Sequence, residues 1–508
     1  MGAASRRSWV SMCIVAALAG SVLAGCGTSG GSSSRPAAAP AAREWSAPNA
    51  DLANTRRLDT AIDAANVSRL RLAWSVPLKG TYAATPIVAH GVAYTVDLSS
   101  NVYAIDLASG RLRWQRDYEV GDTGPNGVNV AGGRVFTVTP AAVIALDAAT
   151  GRELWGTQLA RVSGEQIVMT PGYKDGVVYA STVPSAGGNI GTLYALDAST
   201  GRRLWSWQEV PRSLWGDPAV NGGGGLWHPP AFDDRGGLYV SVANPVPWPG
   251  TDAQPWGRSR PGPNRWDNSL VKLEARTGRF LWGTQVLPHD LYDWDLQTPP
   301  ILAQANGREV VLSAGKMGFV YAFDADSGRI LWKRSVGIHN GHDDDSVRAM
   351  HGDYSRVGYG RRIYPGDWGG VETQMASDGQ TLYVPVNDLY AAYRRQTLPE
   401  QQNPLQGRGE IVALDIASGR VRWIRRLPHG EYGGATITND VVLTTTYDGT
   451  VWALERAAGR VLWSGPLPAS SIAPVAVSGD TVLSAGGIAL EPHQRTAIVA
   501  YRLGGGRG

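Results

Sequence analysis

The chain has 508 residues, with 64 glycines, 19 tryptophans, only 5 phenylalanines and a formal net charge of +3. That composition suits many short strands joined by tight turns better than a helical protein. So small a net charge gives no support for nucleic-acid binding, which calls for a concentrated basic patch.

The N-terminus reads as an export signal. Arg6 and Arg7 supply the positive start, Val10 to Leu23 is a short apolar run, and small residues lead to Leu23-Ala24-Gly25-Cys26. The apolar run is too short for a membrane span. Leu-Ala-Gly-Cys resembles a bacterial lipobox, which implies cleavage before Cys26 and lipidation of that cysteine. Ser5-Arg6-Arg7 resembles the start of a twin-arginine signal, so the export route stays open. The expected organisation is a lipoprotein signal peptide over 1–25, a flexible lipidated tether over 26–44, and one domain over 45–508. The tether is Gly, Ser, Pro and Ala with almost no bulky side chains. The other of the two cysteines, Cys13, falls in the removed part, so the mature protein has no disulfide. The expected location is outside the cytoplasm, on the outer face of the cell membrane, with the lipid as the membrane contact.

A repeat fills the rest of the chain. Its unit is an alternating apolar strand, an acidic turn with glycine, and a tryptophan: Val102-Tyr103-Ala104-Ile105-Asp106, then Ser109-Gly110-Arg111, then Trp114. Further copies end at Trp155, Trp205, Trp282, Trp332, Trp423 and Trp463. Alternation makes a half-buried strand, and the glycine supplies a positive φ for the reversal. Tryptophan is suited to packing between neighbouring sheets. One hairpin cannot bury its own face, so units must stack, and most copies recur at roughly the 40–50 residues of a four-stranded propeller blade. The chain ends in a half unit, Ile498 to Leu503, and begins with the missing half, Leu70-Arg71-Leu72-Ala73-Trp74. Joining them would make an eighth blade and hide the edge strands. The expected fold is all-β, an eight-bladed β-propeller closed by pairing of N- and C-terminal strands. Two intervals exceed the period, Trp205 to Trp282 and Trp332 to Trp423. Long loops on a rigid scaffold are where sites are built.

Between these intervals lies Pro288-His289-Asp290-Leu291-Tyr292-Asp293-Trp294-Asp295, three carboxylates and a histidine among aromatic rings. Burial there can raise a carboxylate's pKa and let it act as a base, whereas short Asp-rich loops also serve as turns and caps. His339-Asn340-Gly341-His342-Asp343-Asp344-Asp345 carries metal-binding residue types, but with no strand or helix to fix it the segment reads as a solvated surface loop.

The repeat Ala-x-Asp-x-x-Thr-Gly-x-x-x-Trp resembles that of the pyrroloquinoline-quinone (PQQ) dehydrogenases, quinoproteins that oxidise alcohols or glucose. The N-terminal segment Asp51-Leu52-Ala53-Asn54-Thr55-Arg56 through Trp74 is also similar to theirs. The resemblance implies a set of site residues. Gly222-Gly223-Gly224-Gly225-Leu226-Trp227 is similar to the glycine run before the tryptophan under the quinone, so Trp227 would stack on the cofactor. Asn244, in Ala243-Asn244-Pro245, matches an asparagine whose oxygen binds Ca²⁺. His289-Asp290-Leu291-Tyr292-Asp293 is similar to the family's His-Asp-x-Trp-Asp, which assigns the catalytic base and second metal ligand to Asp293, with Tyr292 replacing the usual tryptophan. Leu291 stands where lanthanide-using relatives would carry an extra aspartate, which argues against such a site. Lys316, in Ser313-Ala314-Gly315-Lys316, matches the basic residue at the quinone carbonyl.

The pattern also fails in places. Ala186 falls where the calcium glutamate should be, with Asp217 and Glu372 as replacement acids. The vicinal cysteine pair is absent from Gly124 to Val128, Asn126 stands near an expected arginine, and Gly369-Gly370-Val371-Glu372-Thr373 replaces an Asn-Trp segment. The implied function is PQQ- and Ca²⁺-dependent oxidation of a small alcohol or sugar, with an external electron acceptor. The alternatives are a catalytically degenerate propeller acting as a binding or scaffold lipoprotein, and a sugar- or polymer-binding protein without a cofactor.

Overall fold

Each copy of the repeat folds as a hairpin whose turn is built by its own side chains. In the copy formed by strands Thr192–Asp197 and Arg203–Gln208, Asp197 Oδ1 accepts from the Ser199 and Thr200 amides at 3.0 and 2.9 Å. Gly201 takes φ 72° and donates its N–H to Asp197 O at 2.8 Å. The reversal leaves a register shift between Ala195 and Leu196, and a shift recurs at the matching position of the other copies. The computed structural model describes residues 44–358, 360–393 and 399–504. The leader and the proposed lipid site Cys26 lie outside the described residues.

The hairpins belong to seven four-stranded antiparallel sheets and one five-stranded sheet, accompanied by a two-stranded and a three-stranded one. Almost everything else is turn and loop, which gives an all-β, propeller-like molecule. Within a sheet the inner strands are buried along their whole length, as in Val92–Val96, while the last strand, as in Leu112–Arg116, faces solvent. Strand Leu70–Pro77 pairs antiparallel with Ala497–Leu503, so the N-terminal half unit joins the C-terminal one in a single sheet.

Tryptophans tie each sheet to the next. Trp205 Nε1 donates to Ala275 O at 3.1 Å, and its ring lies on Gly278, where a Cβ would stand 2.5 Å from Cε3. The same pairing joins Trp74 to Leu107 and Gly110, Trp282 to Ala325 and Gly328, and Trp332 to Ile416 and Gly419. The glycine therefore serves twice, adopting a left-handed φ and leaving room for an indole face. Trp463 has a different partner, the Tyr501 ring at 5.0 Å.

The segment before the first strand runs beside the first strands of five sheets and satisfies backbone groups there. Val88, Phe232, Leu302, Ser377 and Ile437 donate their amides to the carbonyls of Trp45, Leu52, Ala53, Thr55 and Arg56. Arg56 is fully buried, donates to Ala435 O, Thr436 Oγ and Val475 O at 2.7–2.9 Å, and lies over the Trp45 ring. Burial pushes its guanidinium down to about 9, against the opposing charge of Glu431.

The two long intervals carry additional structure. The first holds the two-stranded pairing of Gly222–Gly223 with Pro245–Val246. The second holds the helix Asp345–Met350 and a three-stranded sheet that begins at Arg361–Ile363. Both flank the stretch around Asp293.

Gly328→Ala adds a methyl 2.5 Å from Trp282 Cε3 at a φ of 71°, whereas Gly176→Ala adds one at φ 82° with no atom within 4 Å. Both should destabilise, G176A by about 1 kcal/mol from the backbone alone and G328A by about 1–3 kcal/mol more from the displaced indole. Equal losses in denaturant unfolding would show that the indole contact does not limit the turn.

Candidate active site

The stretch from Pro288 to Pro300 leaves strand Phe280–Gln285 and enters Ile301–Ala305. Its shape is set by Asp290, whose Oδ1 accepts the Tyr292 amide at 3.0 Å and whose Oδ2 accepts the Trp294 amide at 2.8 Å. Between those two donors Asp293 adopts φ 63°, the left-handed region that an L-residue enters at a cost. Leu291, Tyr292 and Trp294 fill an apolar cluster with Trp256 and Tyr393, and the Tyr292 hydroxyl donates to Asp345 at 2.6 Å.

This conformation presents the Asp293 carboxylate to residues from two other loops. Its Oδ1 accepts from the Asn244 side-chain amide at 2.6 Å, and its Oδ2 lies 2.6 Å from Lys316 Nζ. The same ammonium reaches Asp295 Oδ2 at 2.8 Å, and the Asn244 backbone N–H donates to Asp295 Oδ1 at 2.9 Å. The Lys316 loop is held by its own N–H to Asp295 O at 3.0 Å. Its approach demands glycine at 315, where a Cβ would lie 1.7 Å from that carbonyl. Burial raises Asp290 to about 7, reinforced by the negative charges of Asp293 and Asp295. Burial likewise raises Asp295 to about 6, with Lys316 pulling the other way. For Lys316 burial favours the neutral amine, but Asp293, Asp295 and Glu372 outweigh it and hold the ammonium well above its ordinary pKa.

Lys316 also faces a cavity of about 370 Å³, within the range of small-molecule sites. Trp227, His228, Gln297, Glu372 and Gln374 line it, with the rings of Trp368, Tyr432 and Tyr447. The glycine run leading to Trp227 is fixed by buried acids: Gly224 N–H donates to Asp267 at 2.7 Å and Gly225 N–H to Glu209. Glu372 receives Gln297 Nε2 at 2.7 Å, and burial lifts it to about 7 while the Lys316 charge opposes. Burial pushes His228 down to about 3, so it is neutral. Trp227 Nε1, Thr373 Oγ and Gln374 Oε1 are buried without a hydrogen-bond partner.

The structure thus brings Asn244, Asp293 and Lys316 into contact and sets Trp227 in the wall of the cavity that Lys316 enters. Asp295 was missed by sequence reasoning. Its signal was the Asp-x-Asp alternation, which puts two carboxylates on the same lysine. Of the two replacement acids for Ala186, Glu372 lines the cavity, while Asp217 accepts the Ala219 amide in its own turn. Ala186 itself packs near Gly164 and Gly222. Leu291 is fully buried in the apolar cluster, and the second carboxylate beside Asp293 comes from position 295. The solvated loop expected over His339–Asp345 is corrected as well. His342 and Asp345 are buried, His342 Nδ1 lies 2.6 Å from Asp345, and a short helix follows. Asn126 is buried and donates to Asp97 O at 3.1 Å, while its neighbours Thr123, Gly124 and Pro125 line the cavity. Among the described residues no group of three or more His, Cys, Asp or Glu is gathered as a metal cluster, and no helix is long and apolar enough to cross a membrane.

Known proteins share this arrangement of sheets. The sequence model of the family described as glucose/ethanol/alcohol dehydrogenase, β-propeller domain, matches residues 45–132 and 160–335, more than half of the chain. A second, outer membrane protein assembly factor BamB, matches residues 316–507. A quinohemoprotein alcohol dehydrogenase of Comamonas testosteroni is 30% identical over 332 residues, 57% of this chain and 46% of that protein. Another, from Pseudomonas putida, is 27% identical over 396 residues, 67% of this chain and 54% of that protein. The chain spans about half the length of these curated relatives. The crystal structure of the Comamonas testosteroni enzyme superposes with a TM-score of 0.77 at 25% identity, over 92% of this chain and 81% of that one.

Glu372 offers a test of the cavity's electrostatics. Its folded pKa, about 7, exceeds the ordinary 4.5, so the folded state holds the proton more tightly. That contribution is complete below pH 4.5 and is lost as pH rises through 7. Glu372→Gln removes it, so E372Q should gain stability relative to wild type between pH 4.5 and 8, by up to about 3 kcal/mol. A pH-independent difference between the two unfolding curves would contradict the assignment.

Proposed function

The chain belongs to the PQQ glucose/ethanol/alcohol dehydrogenase β-propeller family, and on that premise we propose that it oxidises a small alcohol or sugar and passes the electrons to an external acceptor. The contact of Asn244 and Lys316 with Asp293, beside a cavity walled by Trp227, carries this reading. The cavity fits a flat, polar cofactor: it has an indole in its wall, a buried ammonium, and the unpartnered Thr373, Gln374 and Trp227 atoms. The donors near Asp293 fit a hard cation in kind. They are carboxylate and amide oxygens, and two carboxylates set against one ammonium leave negative charge in excess.

When bound, PQQ supplies the acceptor for the hydride leaving the alcohol carbon, and a cation such as Ca²⁺ supplies Lewis acidity. The residues of the chain do the rest. Trp227, in the cavity wall, would hold the ring system against its indole face. Asn244 and Asp293 would hold the cation through their side-chain oxygens. Asp293 takes the hydroxyl proton as the carbon is oxidised, with one oxygen oriented by the Asn244 amide and the other by Lys316. Lys316 would present a fixed positive charge to the cofactor from the cavity wall. The rings of Trp368, Tyr432 and Tyr447 would supply apolar walls for the substrate.

We further read the eight larger sheets as blades of a closed ring. The pairing of Leu70–Pro77 with Ala497–Leu503, the docking of Trp74 on Gly110 and the contact of Trp463 with Tyr501 support it. Leu23-Ala24-Gly25-Cys26 supports an exported protein tethered through a lipid on Cys26. A second reading, a scaffold propeller without cofactor, draws on the BamB match and on Ala186.

Dye-linked oxidation of alcohols and glucose by the full chain, with added PQQ and Ca²⁺, separates the two. Turnover with one of them is expected, and Asp293→Asn should lower kcat by about 10²–10⁴-fold in a folded protein. No binding of PQQ at high micromolar concentration would sink the dehydrogenase reading, and an active D293N would refute the base.

A further inference from the structure

Asn244 and Lys316 reach Asp293 from other loops, while Asp290 and Asp295 share its own stretch. The Asp290 carboxylate lies fully buried on the same turn and does not touch Asp293 directly. Its two oxygens accept the amides of Tyr292 and Trp294, the residues on either side of Asp293. The same pairing recurs at Asp97, whose bonds to the Ser99 and Asn101 amides enclose Ser100 at φ 60°, and at Asp233, whose bonds to the Arg235 and Gly237 amides enclose Gly236 at φ 87°. The bond to Trp294 fixes the peptide that follows Asp293 and the bond to Tyr292 the peptide that precedes Tyr292, and Asp293, enclosed between them, sits at φ 63°. We infer that Asp290 is a positioning residue, whose carboxylate clamps Asp293 in the left-handed conformation that turns its side chain toward Asn244 and Lys316.

The clamp is anchored from behind. The buried guanidinium of Arg260 donates to the Asp290 carbonyl at 2.6 Å, to the Trp248 carbonyl at 2.9 Å and to Asn264 Oδ1 at 2.6 Å. The backbone of Asp290 is therefore tied to the loop of the first long interval, and its side chain to the turn that carries Asp293. In front, Tyr292 is held through its hydroxyl by Asp345, and Trp294 Nε1 donates to Pro365 O at 3.1 Å. Both residues flanking Asp293 are thus immobilised at main chain and side chain, which leaves its φ no freedom to relax. A fully buried carboxylate is expensive to desolvate, and burial raises Asp290 to about 7.

The inference rests on Asp293 acting as the base, and the test keeps the two apart. Asp290→Asn retains one acceptor and turns an amide group toward the other N–H. With PQQ, Ca²⁺ and substrate saturating, kcat of D290N should fall at least tenfold, while KM changes less than threefold, because the cavity walls are untouched. Unchanged kcat, or equal loss in kcat and KM, would overturn the positioning role. Hydrogen exchange on the wild-type protein supplies a second reading that needs no variant to fold. The Tyr292 and Trp294 amides should be strongly protected, and exchange at open-chain rates would overturn the clamp. If the wild type shows no turnover with any alcohol or sugar, the dehydrogenase reading fails, and the exchange measurement still decides the clamp.

Discussion

The contact between an indole and a glycine is the interaction on which the rest depends. A four-stranded sheet with one buried face has no independent stability, so each sheet must be fastened to its neighbour. Here the last strand of one sheet presents a tryptophan to the turn of the next. The glycine in that turn is both the residue that permits the reversal and the one that lets the ring approach, as with Trp205 on Gly278. Because the contact repeats, small errors in sheet placement do not accumulate freely. That matters for Asn244, Asp293 and Lys316, which come from three separate loops yet meet within 2.6 Å. Loops alone could not hold such distances; loops on sheets locked to one another can.

The cluster is electrostatically costly. Asp290 and Asp295 are fully buried and Glu372 half-buried, and desolvation pushes all three carboxyls upward. Lys316 is the one cation in direct contact with Asp293 and Asp295 among the described residues. Removing one partner of such a buried set exposes the others to an uncompensated charge, worth about 3–5 kcal/mol. A fold retaining that arrangement for stability alone would do better with apolar side chains. Its cost is intelligible if the carboxylates handle protons or a cation at the mouth of the neighbouring cavity.

Much of this was legible in the sequence, for specific reasons. The strands and turns were, because each copy carries the same alternation, acidic turn residue, glycine and tryptophan. Pairing of the two terminal half units was, because each lacked what the other had. The convergence of Trp227, Asn244, Asp293 and Lys316 was not contained in spacing; it followed from similarity of their motifs to those of the family. What escaped was set by three-dimensional neighbours. Leu291 was weighed as the place for an extra acid, but the clamp on Tyr292 and Trp294 turns 291 into the apolar cluster and brings 295 to the lysine. The segment from His339 had no periodicity to announce its order, which comes from the bond between Asp345 and Tyr292. Glu372 was named only as one of two replacement acids, since no local pattern says that a glycine-rich loop will line a cavity.

The central claim is that one cavity wall and one three-loop cluster form a single quinone site. A crystal structure of the full chain grown with PQQ and Ca²⁺ tests it most directly. The quinone ring system should lie stacked on Trp227, with a quinone oxygen within hydrogen-bonding distance of Lys316 Nζ. A ring bound elsewhere, or a cavity empty at saturating PQQ, would contradict it.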